Sequence, residues 1–130
     1  MVLTSAELDH AIGLLILREA LSYRVLSTSW VRRALVEHNA AWKLLDAVWG
    51  TALLDTPVAL DAAGTLEARF FPVAPKIPPF LRNVEKPAPE TTVGVRITDA
   101  RGGGRLAFVP GMKTIDDATR AELELSLIHI

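Results

Sequence analysis

Val2 to Glu19 reads VLTSAELDHAIGLLILRE. Val2, Leu3 and Thr4 suit the end of a buried strand. A helix follows over about Leu8 to Leu21, with Leu8, Ile12, Leu15 and Ile16 on one face. Ala11, Leu14 and Leu17 make the other faces apolar as well. A helix that is apolar nearly all round is buried on several sides. A chain of 130 residues seldom surrounds a helix so fully. The stretch therefore implies that this helix has neighbours outside the chain. Asp9 and His10 directly follow the strand end, where a fixed backbone and a turn can aim two side chains at one point.

Outward from this stretch, strands and helices alternate. Tyr23 to Ser27 reads as a short strand. Ser27, Thr28 and Ser29 offer caps for a helix over about Trp30 to His38. Ala40 to Val48 is a second short helix with Trp42, Leu45 and Trp49 on one side. Leu53 to Leu60 is apolar and broken by Pro57, and Leu66 to Phe71 alternates as a strand. Pro72, Pro75, Pro78, Pro79, Pro87 and Pro89 then crowd one segment, so no regular element runs through it. Val93, Val95 and Ile97 alternate again, and Arg105 to Val109 is the partner strand. Gly102, Gly103 and Gly104 supply the positive φ angles of the hairpin between them. Thr114 with Asp117 reads as a capping box that opens a last helix. The order is that of an α/β layered fold.

Composition excludes several function classes. Half the residues are apolar, which rules out a disordered tail. Fourteen Lys+Arg stand against 15 Asp+Glu, which gives no reason to invoke nucleic acid or an anionic membrane. The longest apolar run, Ala11 to Leu17, ends at Arg18 and Glu19 and is too short to span a bilayer. Glu7, Asp9 and His10 stand where the basic region of a signal peptide belongs. The chain has no cysteine, so disulfides, thiolate metal sites and cysteine nucleophiles are excluded together. This favours the cytoplasm.

Two readings of Asp9 and His10 stand side by side. Carboxylate oxygen and imidazole nitrogen suit several divalent ions, so a turn that splays the pair makes a metal site. Alternatively, Thr4 and Glu7 form a capping box, and Asp9 and His10 are ordinary first-turn residues. His38 beside Glu37 and Asn39 reads as a partner of its helix C-terminus. The triple glycine lacks the Lys-Ser/Thr and following helix of a phosphate cradle. Gly-x-Ser-x-Gly is absent. Trp30, Trp42 and Trp49 read as packing rather than a stacking platform.

The opening stretch resembles the pyrroloquinoline quinone (PQQ) biosynthesis protein B family, a branch of the metallo-β-lactamase-like proteins. The likeness continues through Val25 to Val31, Asn39 to Leu45, the proline-rich segment, the Val93 to Ile97 strand and Phe108-Val109-Pro110-Gly111. It implies an αββα sandwich, here partial and truncated at both ends. Residues 1–124 would be an internal part of that domain. Residues 125–130 (LSLIHI) look like the translation of a sequencing-library adaptor, a non-native tail in which His129 is no ligand.

In register with the superfamily's His-x-His-x-Asp-His, this chain has Ser5, Ala6, Glu7, Leu8, Asp9 and His10. The resemblance thus implies loss of the first zinc site and retention of Asp9 and His10 as ligands of one divalent metal. Fe(II) is favoured and Zn is the alternative. A third ligand, a histidine, would lie beyond this chain. Glu7 is then either an acceptor that orients His10 or the helix cap, and the cap is favoured. The implied activity is iron-dependent hydroxylation of the tyrosine part of a small peptide-derived precursor, with other PQQ biosynthesis proteins as partners. The Pro72 to Pro89 loop would overhang the metal, and Arg82 and Arg96 are candidate carboxylate anchors. The alternatives are a non-catalytic carrier of PQQ or its precursor and an inactive fragment, since two protein ligands hold a metal weakly.

Overall fold

The computed structural model describes residues 1–19 and 22–126, and the backbone of residues 128–129. The elements run α1 (Leu8–Leu17), β1 (Val25–Ser27), α2 (Ser29–His38), a 3₁₀ helix (Ala40–Val48), β2 (Trp49–Thr51), β3 (Pro57–Ala59), β4 (Leu66–Pro72), a 3₁₀ turn (Pro79–Leu81), β5 (Val93–Asp99), β6 (Arg105–Phe108), α3 (Asp117–Glu124) and β7 (Ile128–His129).

Neighbouring residues along each strand face different cores, and this builds the layers. β1 and β2 pair in parallel, and Val2 bridges Leu26 on the other side of β1. Leu3 and Val25 face a core shared with α1, α2 and the long 3₁₀ helix, including Trp30, Trp42 and Leu45. Leu26 and Ala52 face the opposite way, against Ala68, Phe70, Val93 and Val95 of a second sheet. That sheet has the order β3-β4-β5-β6-β7. β3 to β6 are antiparallel to their neighbours, and β7 runs parallel to β6. Its outer face carries Phe71, Val73 and Val109, with Leu123 of α3 packed on them. The result is helices, small sheet, large sheet, helix: the expected α/β sandwich.

Caps and turns explain the boundaries. Thr28 accepts from Val31 N at 3.3 Å and starts α2. Asn39 Oδ1 accepts from Ala41 N at 3.0 Å and starts the 3₁₀ helix. Pro57 opens edge strand β3, a position where a missing N–H costs no ladder bond. In the β5–β6 hairpin only Gly102 of the three glycines adopts a positive φ, +88°. Gly103 is needed for a different reason: a Cβ there would lie 2.6 Å from Asp99 Oδ2.

Two expectations, both of caps, are corrected. Asp116, not Thr114, caps α3, its Oδ1 accepting from Thr119 N at 2.7 Å. Thr4 does not cap α1, because Thr4 is buried in a bridged segment where its carbonyl accepts from Val93 N at 3.0 Å. Only Ala11 and Leu14 of α1 are buried. Ile12 and Ile16 are 55% and 71% exposed, so the other apolar faces of this helix stand uncovered among the described residues. The helix is described to Leu17, and the expected end at Leu21 lies outside the described residues. Of the expected tail, Ile128 pairs with Leu106 and His129 with Ala107; residues 127 and 130 lie outside.

Candidate metal centre

Two sheets meet at the start of α1. Val2 bridges β1, and Ser5 bridges Thr92 at the beginning of β5. The chain leaves this double anchor at Glu7, whose extended backbone forms the N-cap of α1 without a side-chain cap bond. His10 N and Ala11 N both donate to Glu7 O at 3.1 Å. Asp9 and His10 therefore occupy the first helical turn, and their side chains lean back toward the anchored segment.

There the two side chains meet. Asp9 Oδ2 lies 3.9 Å from His10 Nε2. Ser5 Oγ lies 3.2 Å from His10 Nδ1. One ring nitrogen is thus held by a buried hydroxyl, while the other faces a carboxylate and solvent. Ligands of one ion at about 2.0–2.2 Å sit up to roughly 4 Å apart, so these two donors are close enough to share it. The His10 and Asp9 side chains are 36% and 77% exposed, which leaves the approach open. The positive end of the α1 dipole opposes a cation here, and the Asp9 carboxylate offsets it.

Glu7 is elsewhere. Its carboxylate pairs with Lys76 Nζ at 2.8 Å and makes no hydrogen bond to His10 among the described residues. The Glu7–Lys76 pair ties the proline-rich segment to α1. Pro78, Pro79 and Phe80 line a cavity of about 350 Å³ together with Glu7, Leu8 and Asp9. A second cavity of about 300 Å³ lies on the other side, between His10, Phe108 and Pro110. Arg96 is taken up by Glu122 of α3, at 2.6 Å. Arg82 lines a separate groove.

Another cluster has the look of a metal site. Glu37, His38 and Glu85 bring ligand atoms within 4.8 Å of one another. Among the described residues this is the group of three that converges so closely; no third such side chain joins Asp9 and His10. Arg33 already fills it, donating to both Glu85 oxygens at 2.7 and 2.9 Å. His38 Nε2 lies 3.2 Å from Glu85 Oε1. Arg33, followed by the His38 contact, lowers the Glu85 carboxyl to about 2. The Arg33 guanidinium is shifted upward by the same bond. The cluster is a clamp between α2 and the proline-rich segment. Sequence reading missed it because 52 residues separate Arg33 from Glu85.

A mixed sandwich with an Asp-His pair at the mouth of a strand-to-helix turn defines a class. The chain belongs to the family described as the beta-lactamase superfamily domain, whose model matches residues 1–128. Within that class it is similar to coenzyme PQQ synthesis protein B. The protein from Pseudomonas entomophila is 30% identical over 122 residues, 90% of this chain and 40% of the relative. That from Azoarcus sp. is 33% identical over 129 residues, 95% of this chain and 42% of the relative. The crystal structure of Zn²⁺-bound PqqB from Methylobacterium extorquens superposes with a TM-score of 0.78 at 29% identity, covering 93% of this chain and 41% of that one. The chain thus spans about 40% of the length of the curated relatives it matches. Among the described residues no helix is long and apolar enough to cross a membrane.

Proposed function

We propose that this chain carries part of the metal-binding region of a protein acting in PQQ biosynthesis, in the cytoplasm, alongside other proteins of that route. Asp9 Oδ2 and His10 Nε2 would hold one divalent ion, and the observation that carries this is their 3.9 Å approach with Ser5 behind the ring. The name of the relatives and the Zn²⁺ in the Methylobacterium structure support the reading. Fe(II) is the proposed physiological ion, which when bound would supply the redox chemistry for hydroxylating the tyrosine part of a peptide-derived precursor.

The chain's own residues have simpler tasks. Ser5 fixes the plane of the His10 ring, and with Nε2 committed to an ion the Nδ1–H donates to Ser5 Oγ. Asp9 contributes charge. The Pro78–Phe80 turn faces Asp9 across a shared cavity and would narrow the access of water from that side. Two donors hold an ion weakly, so modest affinity is expected of this chain alone.

Anaerobic titration with Fe(II), and separately with Zn²⁺, tests the site in wild type, Asp9→Ala and His10→Ala. Loss of binding in both variants is expected, and unchanged stoichiometric binding in both rules the site out. Precursor-dependent oxygen uptake by the metal-loaded protein is the test of hydroxylation. Precursor binding with no uptake would point to a carrier instead.

A further inference from the structure

Leu8, Ile12 and Ile16 follow one another at four-residue spacing along α1, and all three are exposed. Side chains at that spacing share one face of a helix. Gly13 stands beside them, and a Cβ built there would meet nothing within 4 Å. A glycine in mid-helix costs helix stability, but here it leaves room for a second helix to come close. From Ala11 to Leu17 the helix carries no charge, so nothing on this stretch repels an apolar neighbour.

The two ends of the stripe differ. Ile16, at the C-terminal end, is the most exposed large apolar side chain among the described residues. At the N-terminal end Leu8, Pro78, Pro79 and Phe80, with Glu7 and Asp9, surround a cavity of about 350 Å³. That volume has room for a branched aliphatic side chain. Eight residues of helix set the knob and the hole about 12 Å apart. Within one molecule they cannot fill each other. Across a two-fold axis they fill each other reciprocally, which is the condition for an interface between identical chains.

We infer that two copies of this chain pair through α1, antiparallel, about a two-fold axis at Ile12. Ile12 then packs on its own counterpart, and Ile16 of each copy enters the cavity between Leu8 and Phe80 of the other. Antiparallel helices also set each positive dipole end beside a negative one. At their exposures Leu8, Ile12, Ile16 and Phe80 leave on the order of 400 Å² uncovered in each copy. This is close to the apolar share of the about 800 Å² that each partner contributes to a standard interface. The inference goes beyond the proposed function, and the pairing needs no metal.

The test is sedimentation equilibrium of the metal-free 130-residue chain from about 1 to about 200 μM, with dissociation of a dimer expected in the micromolar range. Ile16→Glu should weaken the dimer about a hundredfold or more, since two buried side chains are lost from each dimer. Leu53→Glu, at a comparably exposed apolar residue between β2 and β3, should leave it unchanged. The chain has no cysteine, so Ile12→Cys reports the axis directly. Mild oxidation should join two copies of Ile12→Cys by a disulfide and should not join Leu53→Cys. All of these positions are exposed, and an unchanged far-ultraviolet circular dichroism spectrum confirms that the variants fold. A monomer throughout the concentration range, association that continues past the dimer, a dimer retained by Ile16→Glu, or equal cross-linking of Leu53→Cys each overturns the inference.

Discussion

Two imidazole–carboxylate groups lie on the helical side of this molecule, and they differ in what fills them. At Glu37, His38 and Glu85 the negative charge is already met by Arg33, which makes both available bonds to Glu85. At Asp9 and His10 no internal cation approaches within ion-pair range among the described residues, and His10 Nε2 faces the carboxylate across 3.9 Å. The first cluster has more ligand-type side chains, yet it is the poorer place for an ion. A metal there must displace a guanidinium held by a bidentate bond. If Asp9 and His10 hold the ion, as proposed, convergence of donors is a weaker indicator of a site than the absence of a competing cation.

The largest effect that sharpens this contrast is on metal affinity. His10→Ala removes one of two donors and should weaken Zn²⁺ binding by more than about a hundredfold, read by competition with a chromogenic chelator. His38→Ala should leave Zn²⁺ affinity unchanged. If His38→Ala abolished binding and His10→Ala did not, the two regions would exchange roles.

Stability should respond the other way round. Glu85→Gln removes the charged acceptor of Arg33 and should cost about 1–2 kcal/mol in chemical denaturation, discounted for the solvent around Arg33. Asp9→Asn, on an exposed side chain, should change stability by less than about 0.5 kcal/mol. Equal losses would mean that both pairs serve packing.

The clamp also fixes a pH dependence. The Glu85 carboxyl is depressed from its ordinary value of 4.5 to about 2. A depressed carboxylate stabilises the fold above its unfolded value, and that stabilisation is lost as pH falls toward the folded value. Wild type and Glu85→Gln should therefore differ by a constant amount above about pH 4.5 and converge as pH approaches about 2. A gap that stays constant down to pH 2 would assign the clamp's effect to packing rather than charge.

What was legible in the sequence follows the range of the forces involved. Alternation at Leu66–Phe71 and Val93–Ile97, with glycines at 102–104, marked a hairpin-linked sheet because register and turn chemistry are local. Ser27, Thr28 and Ser29 marked the start of α2 for the same reason, and Thr28 is the one that caps it. Thr4 misled because its residue type suits a cap, while its backbone is committed to β5 through Val93 N, a contact 89 residues away in the chain that no local pattern encodes. The Asp9–His10 dipeptide was visible. Its partners were not: Ser5 lies five residues from His10, a spacing with no motif, and Lys76 reaches Glu7 only because the proline-rich segment folds back on α1.

Ser5 gives the smallest and most specific test. The resemblance to the superfamily implies that it stands where a zinc-ligating histidine is expected. Its hydroxyl lies against His10 Nδ1 at 3.2 Å, on the ring nitrogen away from Asp9. Losing the ligand and keeping a small donor–acceptor would convert a two-metal mouth into a one-metal mouth with an oriented ring. Ser5→Ala should lower Zn²⁺ affinity by about tenfold, the lower end expected for a group behind a metal-bound histidine. The fold should lose no more than about 1 kcal/mol, since the position is buried and one hydrogen bond disappears. Ser5→Thr keeps the hydroxyl and should recover most of the affinity. An affinity unchanged in Ser5→Ala would show that the ring is oriented by the helix alone, and the site would then differ from the Arg33 clamp only in being empty of a competing cation.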